Sequence, residues 1–350
     1  MREYLKQFGG SVTKDHILKY EQSDRWIKGR FRNFERTQIA VPWSKVPGII
    51  YKQVAERKER EPRQKLPIMP INLNSLYSDD NRMQFIWYGH SVIMIRIHGK
   101  NILIDPMFGP DTTPISPIPT IRFSDNTLDI IDSLPEIDLV IITHDHYDHL
   151  DLASIEKLNS KVKEYYVALG VGRHLEAWGI PGARITEFDW WDGITWTGID
   201  IFFTPTRHFS GRGIKDRSMS LWGGWVLNTG TENIWISGDG GYGSHFKEIG
   251  EKLGPFDMAF MECGQYNSDW HEMHLFPDES IQAAIDAKVK KAIPIHWGAF
   301  SLSYQHTWYE PVEHFILSAH EKKIKFSSPP LGKIFSIDEE EVDQWWLPYI

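Results

Sequence analysis

The sequence predicts an α/β (α+β) fold in which a pair of sheets is sandwiched between helices, with a chemical site along one sheet edge. Three observations carry this. Short β-rich runs alternate with helical segments in two similar halves over residues 81–350. The apolar run Leu139–Ile142 reads as a buried strand that stops at Thr143. Metal-ligand side chains then follow at once, and others close predicted strands further along.

The elements follow in chain order. Residues 1–80 show little regular pattern. Lys52–Lys65 is charge-rich and reads as a short helix that Pro62, Pro67 and Pro70 interrupt. This region is expected to be an N-terminal extension packing on the main domain, residues 81–350. Strands are predicted at 84–88, 92–97 and 101–105, with a hairpin turn at His98–Lys100. A proline-rich loop, 106–126, leads to strand 138–142 and a helix over 152–158. Strand 164–169, helix 172–178 and strand 184–188 come next, then a hairpin over 194–205 that ends at His208. Strands 222–229 and 233–237 precede helix 244–253 and strand 256–262. Pro277 and Asp278 open a helix to 288, where proline and an acid suit a first turn. Strand 291–295 ends at His296, and Thr307 with Glu310 forms a capping box for a helix to about residue 320. Short strands complete the C-terminus.

Composition narrows the setting. An apolar fraction of 41% with 15 Trp suffices for a globular core. The first residues lack an apolar signal segment, and one cysteine, Cys263, has no partner in the chain, so a reducing cytoplasm is expected. Cys263 itself is expected to be a small core residue near the site. The net charge of -9 hides an asymmetry: residues 1–65 hold 16 Lys+Arg against 8 Asp+Glu, the rest 22 against 39. An acidic body argues against nucleic acid as a partner. The basic head suits either a solvated arm or a peripheral contact with an anionic membrane. Homo-oligomerisation stays open.

The chemistry concentrates in DLVIITHDHYDHLD, residues 138–151. His144 and His146 occupy alternate positions of an extended turn and point one way, while Asp148 and His149 form a second pair where the chain begins to coil. That pattern suggests two ions of the zinc type, with iron or manganese as alternatives. Seven ligands are available just past predicted strands. His144, His146 and His208 would hold the first ion, and Asp148, His149 and His296 the second. Asp239, between glycines in SGDGG, would bridge them. Taken alone, His208 or His296 is as readily an ordinary core histidine; the shared strand-end position raises both.

These motifs resemble the metallo-β-lactamase fold. THDHYDHLD, His208, GDGGY around Asp239 and PIHWG around His296 carry the likeness, with WYGHS (87–91), IDPMF (104–108), LWGGW (221–225) and PDES (277–280). Within that fold the chain is most similar to N-acyl-phosphatidylethanolamine-hydrolysing phospholipase D and its bacterial relatives. The resemblance runs from about Trp87 to Phe300 and leaves the N-terminal region unmatched. It implies a four-layer αββα sandwich, a dinuclear zinc site on the seven residues above, and a phosphodiesterase acting on a lipid or small-molecule diester. His146 stands where the oxygen-reducing diiron branch of the fold has Glu, which favours hydrolysis over redox chemistry.

Asp148 and Asp239 are then expected to orient the attacking water. His274, just before the PDES helix start, matches a histidine that the family uses in activity; an exposed loop histidine is the plain alternative. The family pattern places His90 near the metals, behind the ligands and among the candidate substrate contacts; a buried, hydrogen-bonded histidine is the plain alternative. His271, Arg212, Lys215 and Arg217 are candidate substrate contacts, the cations because they suit a phosphate. Trp190, Trp191, Trp196, Trp222 and Trp225 suit an acyl groove, although core packing is the commoner fate of tryptophan. A lactonase or other carbon-ester hydrolase on the same fold is the runner-up, and a non-catalytic metal-stabilised binding protein the third reading.

Overall fold

A computed structural model describes residues 2–37, 43–78, 82–213, 215–339 and 344–350. The expected boundary between residues 80 and 81 lies outside them. The strands are β1 (Trp26–Ile27), β2 (Arg30–Phe31), β3 (Gln84–Trp87), β4 (Ile93–Ile97), β5 (Lys100–Ile104), β6 (Ile137–Ile142), β7 (Val162–Ala168) and β8 (Ile185–Phe188). Then come β9 (Gly193–Trp196), β10 (Ile199–Thr204), β11 (Gly224–Asn228), β12 (Asn233–Ile236), β13 (Met258–Glu262), β14 (Lys291–Ile295), β15 (Lys325–Phe326) and β16 (Ile334–Ser336).

They form two seven-stranded sheets, β16-β3-β4-β5-β6-β7-β8 and β15-β14-β13-β12-β11-β10-β9, beside the small β1–β2 hairpin. Each sheet mixes antiparallel and parallel pairs. Every residue of β6 is buried, as a central parallel strand covered on both faces requires. Trp225 joins the sheets at the site end: its indole N–H donates to the Ile142 carbonyl at 3.2 Å. The His98–Gly99 turn between β4 and β5 has φ of 47° and 70°, the two left-handed residues of a type I′ hairpin.

The strand directions explain the position of the site. β12, β13 and β14 run parallel, and β10 points the same way because β11 is antiparallel to both neighbours. In the other sheet β3, β5 and β6 share one direction by the same logic. Loops after these strands therefore emerge at common edges, where α/β sites form.

Helices cover the outer faces, among them Leu152–Leu158, His245–Lys252, Pro277–Asp286 and Glu310–Lys322. Asp151 caps the first by accepting from Ser154 N at 2.8 Å. Thr307 accepts from Glu310 N at 3.3 Å, but the last helix is preceded by Tyr309 rather than capped by Thr307.

The N-terminal region is more ordered than expected. Helices span Arg2–Lys6, Lys14–Tyr20, Val46–Ala55 and Arg57–Arg60, so the charge-rich helix starts earlier than the sequence suggests. The second carries a capping box between Thr13 and His16. The segment is tied to the sandwich: Trp178 Nε1 donates to Lys6 O at 2.8 Å, and Phe31 N to Ser218 O at 2.9 Å. Among the described residues no helix is long and apolar enough to cross a membrane.

Candidate metal centre

The seven predicted ligands meet where the two sheets' loops converge. His144 Nε2 lies 2.9 Å from His146 Nδ1, and His208 Nε2 lies 3.2 Å from the same atom. Beside them, His149 Nε2 lies 3.3 Å from His296 Nε2, which is 3.3 Å from Asp148 Oδ2. Asp239 Oδ2 stands between the groups, 3.1 Å from both His149 Nε2 and His296 Nε2. The same oxygen is 3.9 Å from His144 Nε2 and 4.0 Å from His208 Nε2.

Local backbone chemistry holds this convergence. His90, Asp105 and His296 all adopt positive φ, at 54°, 41° and 68°. Such conformations cost about 1–3 kcal/mol each and persist only where surroundings impose them. Here the His90 and His296 turns impose them on each other: His296 N donates to His90 O at 2.9 Å, and His90 N to Trp297 O at 2.8 Å. Before Asp239, Gly238 has φ of 64°, and a Cβ there would collide with the Gly223 carbonyl.

The donors fit divalent cations. Ligands about 2.0–2.1 Å from a tetrahedral ion stand about 3.3 Å apart, close to the spacings here. His144 and His208 turn Nε2, and His146 turns Nδ1, towards one another with no proton donor from outside the group between them, a donor set of three imidazole nitrogens that suits such an ion. Burial, with the neighbouring imidazoles, keeps His144 and His208 well below the usual histidine range, hence neutral and able to donate a lone pair. Burial alone would raise Asp148 and Asp239, but adjacent histidines hold both carboxyls well below their ordinary value. His149 moves up despite its burial because Asp239, Asp148 and Asp105 face it. The buried, ionised Asp148 and Asp239 thus call for positive charge where the ligands converge.

Groups absent from the sequence reading support the cluster from behind. Asp105, just past β5, lies 2.7 Å from His149 Nδ1 and accepts from Thr143 N at 2.8 Å. Asp145, between two ligands, accepts from Gly211 N at 2.7 Å and meets His174 Nε2 at 3.2 Å. Glu262, the last residue of β13, is fully buried; it accepts from Gly240 N at 2.7 Å and contacts His274 Nδ1. Both missed strand-end acids close apolar runs as Asp239 does, but neither has the flanking glycines that singled Asp239 out.

The other candidates fall out differently. His90 touches Asp148 directly, with Nε2 2.9 Å from Oδ2. His274 lies at the rim, 15% exposed, with Nδ1 4.0 Å from Asp239 Oδ2. His271 faces solvent and pairs with Glu279 Oε1 at 2.8 Å, at the start of a helix. Arg212 is not a surface cation. It is buried against the Tyr147 and Trp178 rings, and its guanidinium donates to the carbonyls of Gln7, Asp145 and Leu150. Lys215 is exposed, and Arg217 stacks on Phe209, 4.7 Å from the ring centre. Trp196, Trp222 and Trp225 are buried and Trp190 and Trp191 partly so, all packed into the core. Cys263 is fully buried.

Two facing mixed sheets under helices, with a His/Asp cluster at their loop edge that can hold metal ions, define a protein of the metallo-β-lactamase fold. The chain belongs to the β-lactamase superfamily: the family model for the beta-lactamase superfamily domain matches residues 100–297. An uncharacterised protein of Mycobacterium tuberculosis is 31% identical over 332 residues, covering 93% of this chain and 88% of its own. N-acyl-phosphatidylethanolamine-hydrolyzing phospholipase D 1 of Caenorhabditis elegans is 28% identical over 333 residues, 87% of this chain and 93% of that one. Igni18, a metallo hydrolase from the archaeon Ignicoccus hospitalis, shares the fold with a TM-score of 0.54 at 18% identity, over 73% of this chain and 98% of that one.

Proposed function

We propose that this chain is a dinuclear zinc-dependent phosphodiesterase acting on a phospholipid such as N-acyl-phosphatidylethanolamine or a related diester. The position of Asp239 carries the dinuclear reading, because one oxygen lies within 4.0 Å of ligand nitrogens from both groups. His144, His146 and His208 would hold one ion, Asp148, His149 and His296 the other, and Asp239 both. Bound there, two such cations supply Lewis acidity and make water a nucleophile near neutral pH.

The residues divide the remaining work. Asp148 and Asp239 accept hydrogen bonds from the attacking water and fix its direction. His274, held through Nδ1 by Glu262, would offer its other ring nitrogen, Nε2, to the leaving oxygen. The similarity to the Caenorhabditis elegans phospholipase supports a lipid diester over a lactone or carbon ester. A peripheral contact with an anionic membrane through the basic first 65 residues belongs to the same reading, as does the reducing cytoplasm that one buried cysteine suits. The test is a substrate panel of N-acyl-phosphatidylethanolamine, bis(p-nitrophenyl) phosphate and a lactone series. Phosphodiester cleavage that outruns lactone opening is expected; the reverse order assigns the chain to carbon esters.

A further inference from the structure

A cleft of about 410 Å³ opens beside His208. One wall comes from the site itself: His208, Phe209, Met273 and Trp222. The other is the stretch Phe31–Thr37, outside the segment that the family model matches. Asn33 welds this stretch to the ligand loop. Its amide donates to His208 O at 2.8 Å and accepts from His208 N at 3.1 Å. The wall of the cleft is therefore coupled to a proposed ligand by two main-chain bonds.

The cleft is cationic. Arg32, Arg36 and Arg217 line it against one acid, Glu35. Glu35 is already engaged, with Oε1 accepting from Ser244 Oγ at 2.9 Å and Ser244 N at 3.2 Å. Arg30 adds charge nearby, donating to the Arg217 carbonyl. The Arg217 guanidinium rests on Phe209, whose ring packs 4.4 Å from His146 and 4.9 Å from His208. A cation is thus stationed one ring away from the ligand cluster, on the side the N-terminal stretch encloses. Apolar chains gain little in such a lining; an anionic group gains charge-assisted hydrogen bonds.

We propose that this cleft is a subsite for an anionic substituent of the substrate, a carboxylate or second phosphate beside the scissile group, recognised by Arg217 and Arg32. This rests on the phosphodiesterase reading for its substrate, and it assigns the N-terminal stretch to specificity.

The experiment compares ligands that differ by one carboxylate. O-phosphoserine and O-phosphoethanolamine, titrated calorimetrically into the metal-loaded chain, report the subsite without turnover. Phosphoserine is expected to bind about fivefold more tightly, the upper end for an exposed charge pair. In Arg217→Ala and Arg32→Ala that ratio should fall towards one. Equal affinities in the unaltered chain, or a ratio that both variants leave intact, overturn the subsite. Turnover of phosphatidylserine against phosphatidylethanolamine in mixed micelles, beside their deacylated glycerophospho-forms, tells a lipid head group from a soluble diester. Failure to cleave N-acyl-phosphatidylethanolamine and bis(p-nitrophenyl) phosphate as well as these would sink the phosphodiesterase reading, while the affinity ratio still decides the subsite.

Discussion

Asp105 Oδ2 lies 2.7 Å from His149 Nδ1, so the far nitrogen of that ring, Nε2, is turned towards Asp239 and His296. The same carboxylate takes the Thr143 amide and hydroxyl, which fixes the turn from which the ligand run departs. One buried acid thus sets both the tautomer of a ligand and the start of its loop.

Asp105→Ala should therefore lower metal affinity about 10- to 100-fold, the usual cost of losing such a partner. Competition with a chromophoric chelator measures it. Affinity within twofold of the unaltered chain would show that His149 needs no such orienting bond.

Glu262 holds His274 and, through Gly240 N, the loop that bears Asp239. Glu262→Ala should cut kcat more than tenfold, and Glu262→Gln, which keeps an acceptor, should recover part of it. Adding His274→Ala to Glu262→Ala should cost little more if Glu262 acts through that ring. Strictly additive losses would separate the two residues.

Arg212 closes the 145–150 turn from behind, with a guanidinium bound to three carbonyls and buried. Arg212→Ala leaves those carbonyls without their donor and should destabilise the fold by about 3 kcal/mol or more. Denaturant unfolding reads this directly. A variant of full stability with a raised KM would return Arg212 to the substrate contacts.

His245 supplies a pH dependence. Burial first, and then Arg207, push its pKa down to about 3, and both ring nitrogens are buried without partners. The unfolded chain binds this proton near pH 6.5, the folded chain only near 3, so stability falls as pH drops through that window. Between pH 7 and 5 this costs about 2 kcal/mol. Phe34 and Phe246 flank the ring, and His245→Phe should flatten that part of the stability profile. Parallel profiles for the two proteins would exclude His245 as the source.

The centre was largely readable because its ligands crowd one turn or close apolar runs. His144 to His149 announce themselves by density, and His208, Asp239 and His296 by ending strands. Asp105 and Glu262 end strands too, but one acid after NILI or MAFM carries no mark of what it will face. Asp145 was hidden inside the motif as a spacer. Arg212 was misjudged because its burial depends on Tyr147 and Trp178, distant in sequence and silent about a cation beneath them. The helix Lys14–Tyr20 escaped notice because only Tyr20 is buried, too little to show a period.

Metal analysis of the purified chain and of Asp239→Asn tests the central claim most directly. Two equivalents of a zinc-type cation per chain are expected, falling to one or fewer when Asp239 loses its charge, with the fold retained by circular dichroism. A single equivalent in the unaltered chain, or two in the variant, would contradict a carboxylate shared between two ions.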